Sequence, residues 1–500
     1  MKEPMVHMDK KIATKMLLAI TIASLLSACV TDSVERAPAS PSTPWQPSGQ
    51  TSQALADSFS VPENRQILDG PLTPKIEQNH AYSLPELINI AQLENPDTRI
   101  AWQQARQAAL AVGLSETLFL PMISANVIGG YQHTRTPLPV TVLGQNNLET
   151  NTHAVIPALV LQWLVYDFGQ RRALLNAAEQ VSFAANIGFN GIHQKIIYDV
   201  TRTYYQYGAA QSRYKKTEEM LQNSKNILAA AEAKRQQGIG TSLEVAQVTQ
   251  LVAQAELNRV VAQGVQRDAR QALLASTGLP ATSKLDVDAP EYKVPSLQVI
   301  PPSQKMIEQA LARRPDVLAS YALAQAAKEG ITAAEASYLP KIVMAGGLAH
   351  ARTSFDIQGL PTIGPQTSSS NILLGISLPL YDGGMRAIRV QEAQSRAASA
   401  HETFKKTREM AAREIVVSGD VLESAMASNT AAVNLVKTAL ITYDAAFDAY
   451  KHGVGTITVV NEAANNLLLA QQLEIDARTS VLVAVANLAF VMGEMTQAGR

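Results

Sequence analysis

The sequence predicts a mostly α-helical fold that carries a small membrane-crossing β component and is built by duplicating one unit. Three observations predict it. "VYDFGQRRA" at residues 165–173 recurs as "LYDGGMRAI" at 380–388, each reading as a strand end, a tight break and the basic first turn of a helix. No proline occurs between Gly169 and Gln237, so the first junction opens into an unusually long helical stretch. Hydrophobic residues make up 46% of the chain but aromatic ones only 5%. That balance suits long rods packed through Ala and Leu better than compact aromatic cores.

The N-terminus reads as a processing segment. Lys10, Lys11 and Lys15 precede an apolar run from Met16 to Ala28, too short to span a bilayer comfortably. Leu26-Ser27-Ala28-Cys29 resembles a bacterial lipobox, in which the thiol is acylated before cleavage. Cys29 is the only cysteine, so no disulfide partner accounts for it. Val30 rather than Asp follows, a pattern that in many Gram-negative lipoproteins directs sorting to the outer membrane. Residues 1–28 are therefore assigned as a lipoprotein signal peptide, starting at Met1 or at Met8, and Cys29 as the lipidated residue. Residues 29–80, rich in Pro and Ser, are expected to be an extended segment without helix or strand periodicity.

Two matching units follow, 81–280 and 303–495, separated by a linker at 281–302. Asn95-Pro96-Asp97 matches Arg314-Pro315-Asp316, and Leu120-Pro121 matches Leu339-Pro340, both at an offset of 219. Asp167, Gly169, Gly238, Gly240, Thr241 and Gly278 match Asp382, Gly384, Gly453, Gly455, Thr456 and Gly493 at an offset of 215. A single length change of four residues between the two sets accounts for the shift. Two long copies make one fold, not an array of short repeats.

Within a unit the elements run in a set order. Residues 83–118 read as one helix, stopped by Pro121. Residues 122–132 alternate, with Ile123, Ala125, Val127, Gly129 and Tyr131 on one face. A polar loop bearing Pro and Gly separates them from a second strand at 154–164, whose Val155, Leu159, Leu161 and Trp163 share a face. Ile342, Met344 and Leu348, then Ile372, Leu374, Ile376, Leu378 and Leu380, repeat these faces in the second unit. Tyr131 and Trp163 suit either an interfacial aromatic belt or ordinary strand packing. Val200, Tyr207, Tyr214, Leu221 and Leu228 then recur every seven residues, a coiled-coil seam. Its copy runs through Ile415, Leu422, Val436, Tyr443 and Tyr450, interrupted by Asn429. At the α-helical rise such a rod is about 100 Å long. It ends at "GIGTS" (238–242) or "GVGTI" (453–457), after which a helix returns over 243–277 or 457–492.

Four antiparallel strands with one apolar face cannot close a barrel alone. Edges left open in lipid would strand backbone groups at several kcal/mol each. Strands of about eleven residues cross a bilayer at a tilt. Closure therefore needs further copies of the chain. Two copies give eight strands and an interior nearly filled by side chains, and three give twelve strands and a pore.

The duplicated junctions, the long Ala-rich helices and the paired GIGT/GVGT turns resemble the TolC-type outer-membrane efflux proteins, lipidated branch, over about residues 81–495. The resemblance implies a homotrimer with a twelve-stranded β-barrel in outer-membrane lipid and an α-barrel crossing the periplasm. It implies a passive duct exporting small molecules with a periplasmic adapter and an inner-membrane transporter. Asp167, Gly169, Asp382, Gly383 and Gly384 then mark where membrane strand becomes periplasmic helix. Gly238, Gly240, Thr241, Gly453, Gly455 and Thr456 become the adapter-docking tips, besides stopping and capping helices. Where the family carries acids past the second tip, this chain has Asn461 and Ala464, with Glu462 adjacent. Asn461 and Glu462 are the constriction candidates, against the alternative of a solvated helix surface.

A net charge of -1 gives no electrostatic reason to expect a nucleic-acid partner. His133, His153 and His350 show no ligand spacing, no phosphate-cradling or nucleophile motif occurs, and neither a metal, a cofactor nor enzymatic activity is expected. Three other readings compete: a duct for type I protein secretion, a periplasmic adapter, and a pore-less structural coiled coil. The duplication with paired strands argues against the adapter.

Overall fold

The computed structural model describes residues 80–142, 145–288, 302–357 and 361–495. The signal peptide at 1–28, Cys29, all but the last residue of the 29–80 segment, and 289–301 of the linker lie outside the described residues. The chain divides into Met1–Thr73 and Pro74–Arg500, and all described structure belongs to the second unit.

Each half lays out the same elements. The first contains strand β1 (Ala81–Tyr82), helices α1 (Leu84–Glu94) and α2 (Pro96–Thr117), strands β2 (Met122–Val142) and β3 (Gln145–Tyr166), and helices α3 (Gln170–Gln236) and α4 (Ser242–Thr277). Strand β4 (Asp286–Val287) pairs in parallel with β1. The second contains α5 (Gln304–Leu311), α6 (Pro315–Ala336), β5 (Lys341–Ile357), β6 (Gln366–Ser377), α7 (Met385–Lys451) and α8 (Ile457–Val491). Helices α3 and α7 have 67 residues each, about 100 Å of rod, and start 215 residues apart.

Three expectations need correction. The single helix over 83–118 is two helices, broken at Asn95, whose backbone is extended (φ -64, ψ 127). Pro96 disfavours a helical residue before it, and the Asn95 side chain caps the new helix by accepting from Asp97 N–H. The first-half strands also run well beyond eleven residues, to 21 and 22, through most of the segment read as a polar loop. Pro137 and Pro139 are tolerated there because β2 is an edge strand, where a missing N–H breaks no ladder on the open side. In the second half β6 stops at Ser377, so Leu378 and Leu380 lie past the strand they were assigned to.

The four long strands form one antiparallel sheet in the order β2-β3-β5-β6. Register places the apolar residues expected to share a face together on one side of all four strands. Ile123 faces Leu161, Leu161 faces Gly346, and Gly346 faces Ile372; one level lower Trp163 faces Met344 and Met344 faces Leu374. Within β3, residues 153, 155, 157 and 159 on this face are exposed, whereas 152, 154, 156, 158 and 160 are half-buried.

The helices pack as coiled rods. Val200, Tyr207 and Leu221 of the predicted seam are buried, as are Ile415, Leu422 and Tyr450 of its copy. One apolar cluster joins α1, α3 and the end of α4 with β1 and β4, through Leu87, Val200, Tyr204 and Leu274. A second joins α3 and α4 to α7 and α8 through Leu221, Val248, Tyr450 and Leu468. Among the described residues no helix is long and apolar enough to cross a membrane.

Candidate functional site

The junction residues sit where the sheet meets the rods, and each copy is built around an Asp–Arg ion pair, buried in the first copy and partly exposed in the second. Arg171 donates to the Asp167 carboxylate from its backbone N–H (2.9 Å) and from Nε (3.0 Å), with both side chains at most 7% exposed. The rest of the guanidinium donates to Leu118 O at 2.7 Å and Val165 O at 3.2 Å, and stacks 4.8 Å from the Phe119 ring centre. One arginine thus ties the end of α2, the end of β3 and the start of α3 together. In the copy, Arg386 donates to Asp382 from N (3.2 Å) and Nε (2.7 Å) and covers Tyr338. The Arg386 guanidinium hydrogen bond holds the Asp382 carboxyl below its usual range. The backbone turns through left-handed residues: Phe168 and Gly169 at φ 52 and 98, Gly383 and Gly384 at φ 67 and 88. Glycine takes that conformation without a Cβ penalty, while Phe168 does so under strain. Arg171 and Arg386 were missed as site residues, although an Asp-x-x-x-Arg spacing kept at the 215 offset was a readable signal.

The two glycine turns lie at the tips of the α3–α4 and α7–α8 hairpins. Gly238 (φ 77) and Gly453 (φ 80) end the long helices, and the N–H groups of residues 239–240 and 454–455 close back on Lys234 O and Ala449 O. At Gly240 a Cβ would lie 2.8 Å from Arg235 N, and at Gly455 3.0 Å from Tyr450 N, so both turns need glycine for close approach. Thr241 and Glu244 form a reciprocal capping box; Thr456 caps α8 without a side-chain bond. Ile239 and Val454 project outward, 72% and 83% exposed.

A contact with no counterpart in the repeat ties the hairpins together. Lys234 Nζ donates to Tyr450 O and lies 3.8 Å from the centre of that ring. Tyr450 is buried, which pushes its hydroxyl pKa up, with the Glu244 charge adding to the shift. The constriction candidates divide. Glu462 is exposed, whereas Asn461 is half-buried with Oδ1 enclosed and without a hydrogen-bond partner in the described structure. Ala464 belongs to the apolar cluster between the hairpins. Among the described residues no group of three or more His, Cys, Asp or Glu could hold a metal ion.

Strands β2 and β6 leave open edges on both sides of the sheet. Trp163 donates its indole N–H to Phe119 O at 2.8 Å, which anchors the base of the sheet. His133 and Tyr131 both bond Asn151 Oδ1, at 2.8 and 2.9 Å.

The profile described as outer membrane efflux protein matches residues 87–279 and 306–494. The solvent efflux pump outer membrane protein SrpC of Pseudomonas putida is 25% identical over 447 residues, covering 87% of this chain and 88% of its own length. Protein CyaE of Bordetella pertussis is 23% identical over 420 residues, covering 83% and 86%. The crystal structure of the Campylobacter jejuni CmeC outer membrane channel superposes with a TM-score of 0.73 at 18% identity, over 86% of this chain and 92% of that one.

Proposed function

The chain belongs to the outer membrane efflux protein family, and from that premise we propose that it is the outer-membrane duct of a tripartite efflux system. The observation that carries this reading is the open-edged sheet, apolar on one face and joined twice through Asp–Arg pairs to rods of about 100 Å. Such a sheet is stable in lipid only when its edges pair with other copies. Three copies give twelve strands and a water-filled lumen, and the rods continue that lumen through the periplasm. Acylation of Cys29 anchors the chain beside the barrel. The tips, presenting Ile239 and Val454, dock a periplasmic adapter that links the duct to an inner-membrane pump. Asn461 lines the narrow end. Transport is passive, with no catalytic step, and the cargo is small molecules, in keeping with the solvent efflux in the name of one relative.

The test is direct. The purified protein should form ion-conducting pores in planar bilayers. With Cys29 removed, a cysteine at Asn371 on β6, scanned against cysteines along β2, should give a ladder of crosslinked species ending at three chains. A ladder ending at two, or no conductance, overturns the reading.

A further inference from the structure

The face of the sheet that bears Ile123, Leu161 and Met344 changes chemistry along its length. Nearest the helices it is apolar, through Leu161, Met344, Ile372 and Leu374. Farther out, at the level where Val155 faces Arg352, it turns basic and aromatic. Tyr131, His133 and His153 share this level or the next two on the same face, and His350 lies just below. At the same levels the opposite face carries residues such as Gln132, Thr152, Ala351, Thr353 and Thr367, and its one basic residue among the described ones, Lys341, lies at the end nearest the helices. At these outer levels basic residues are therefore segregated to one face.

Their height fits a headgroup layer. From Tyr166 to Val155 is about eleven residues, roughly 36 Å of strand and about 28 Å along the membrane normal at a tilt near 40°. That is close to the apolar height of an outer-membrane barrel, so Arg352 emerges where the hydrocarbon ends. Arg352 is exposed and has no carboxylate partner among the described residues. Of the nearby acids, Glu149 is engaged by Arg135 at 3.4 Å, and Asp356 lies one level beyond His153, opposite Asn151.

We propose that this band, centred on Arg352 with Tyr131, His133, His153 and His350, binds the phosphorylated headgroups of outer-leaflet lipid. The proposal rests on the channel reading, which sets this face against lipid and the hairpin ends outward. Guanidinium, imidazole and phenol all donate hydrogen bonds that phosphate oxygens accept, and Arg does so as a fork. Chain ends of the lipid would lie on the apolar rows below.

The test uses the full-length protein in nanodiscs and native mass spectrometry, with diphosphoryl lipid A and its dephosphorylated form as probes. The wild type should retain the diphosphoryl form preferentially. Arg352→Gln should weaken that retention about fivefold, and adding His133→Gln and His153→Gln should weaken it further. Equal retention of both lipids by the wild type, a comparison needing no variant, overturns the proposal. So does undiminished retention by the triple variant. Pore conductance separates the two levels: a conducting protein indifferent to the phosphates sinks only the headgroup band, whereas a wild type that never conducts removes the channel reading and the band with it.

Discussion

Asn95 and Arg314 stand at the same position in the two halves and join the same pair of helices by different chemistry. Asn95 Nδ2 donates to Ser276 O at 3.0 Å, at the end of α4, while Oδ1 accepts from Asp97 N–H at the start of α2. Arg314 Nη1 donates to Val491 O at 3.3 Å, at the end of α8, and the guanidinium also holds Asp316 and Glu414. Ser276 and Val491 are themselves 215 residues apart, so each side chain splices a returning helix onto the short helix leading to the sheet. The spliced rod of 36 and 22 residues in the first half, about 87 Å, then runs beside a long helix of about 100 Å.

Removing the splice should cost differently in each half. Asn95→Ala loses a cap and a carbonyl bond, about 1–2 kcal/mol. Arg314→Ala strands a buried carbonyl and frees two half-exposed carboxylates, whose pairing is discounted by solvent, for about 2–3 kcal/mol. Thermal melts followed by circular dichroism in detergent should rank Arg314→Ala below Asn95→Ala, and both below the wild type.

At the junctions, Arg171→Ala leaves the Asp167 carboxylate buried and unpaired, a loss of about 3–5 kcal/mol. Arg386→Ala should be milder, because Asp382 is 17% exposed and can recruit water. Electrophoresis of unheated samples should show Arg171→Ala failing to reach the compact, heat-modifiable form while Arg386→Ala reaches it in part.

The tips offer a surface test that leaves the backbone intact. Ile239→Glu with Val454→Glu should abolish adapter-dependent export while single-channel conductance stays at the wild-type value. Export at the wild-type level would remove the tips from the docking surface.

The contact between Lys234 and Tyr450 should slow local opening of the tips. Lys234→Met removes a part-buried carbonyl bond and a cation–π contact, about 1–2 kcal/mol together. Hydrogen exchange over residues 445–456 should then quicken by about tenfold, with exchange in the α1–α3 cluster unchanged.

Acid should loosen the start of α1. Hydrogen bonds from Ser83 N–H and its hydroxyl, together with His80, hold the Glu86 carboxyl at about 2 against an ordinary value of 4.5. A depressed carboxylate contributes stability that is full above the unfolded value and lost as pH falls from about 4.5 toward about 2. Exchange of the first-turn amides should rise across that window, and Glu86→Gln should flatten the dependence.

Much of this architecture was legible in residue order because duplication supplies its own control. The motifs at 165–173 and 380–388, and the glycine turns, reappear in register, and the long helices match to the residue at both ends. The apolar alternation in β2, β3, β5 and β6 likewise put the right side chains on one face. The break at Asn95 is legible in Pro96, although the Ala-rich run beyond it reads as continuous helix. The length of β2 and β3 was less accessible, since their outer halves lack apolar alternation and are held by pairing with each other rather than by a buried face.

What the sequence alone determined is therefore local and periodic: two copies, long heptad rods, strands with one greasy side, and glycine wherever the backbone must turn left-handed. Only the tertiary structure decided which distant groups meet. Arg171 reaches Leu118 O across 53 residues, and Lys234 reaches Tyr450 although neither residue has a counterpart at the equivalent place in the other copy. Such contacts leave no period in the chain, because their energy depends on where packed helices bring a charge and a carbonyl together after both have lost their water.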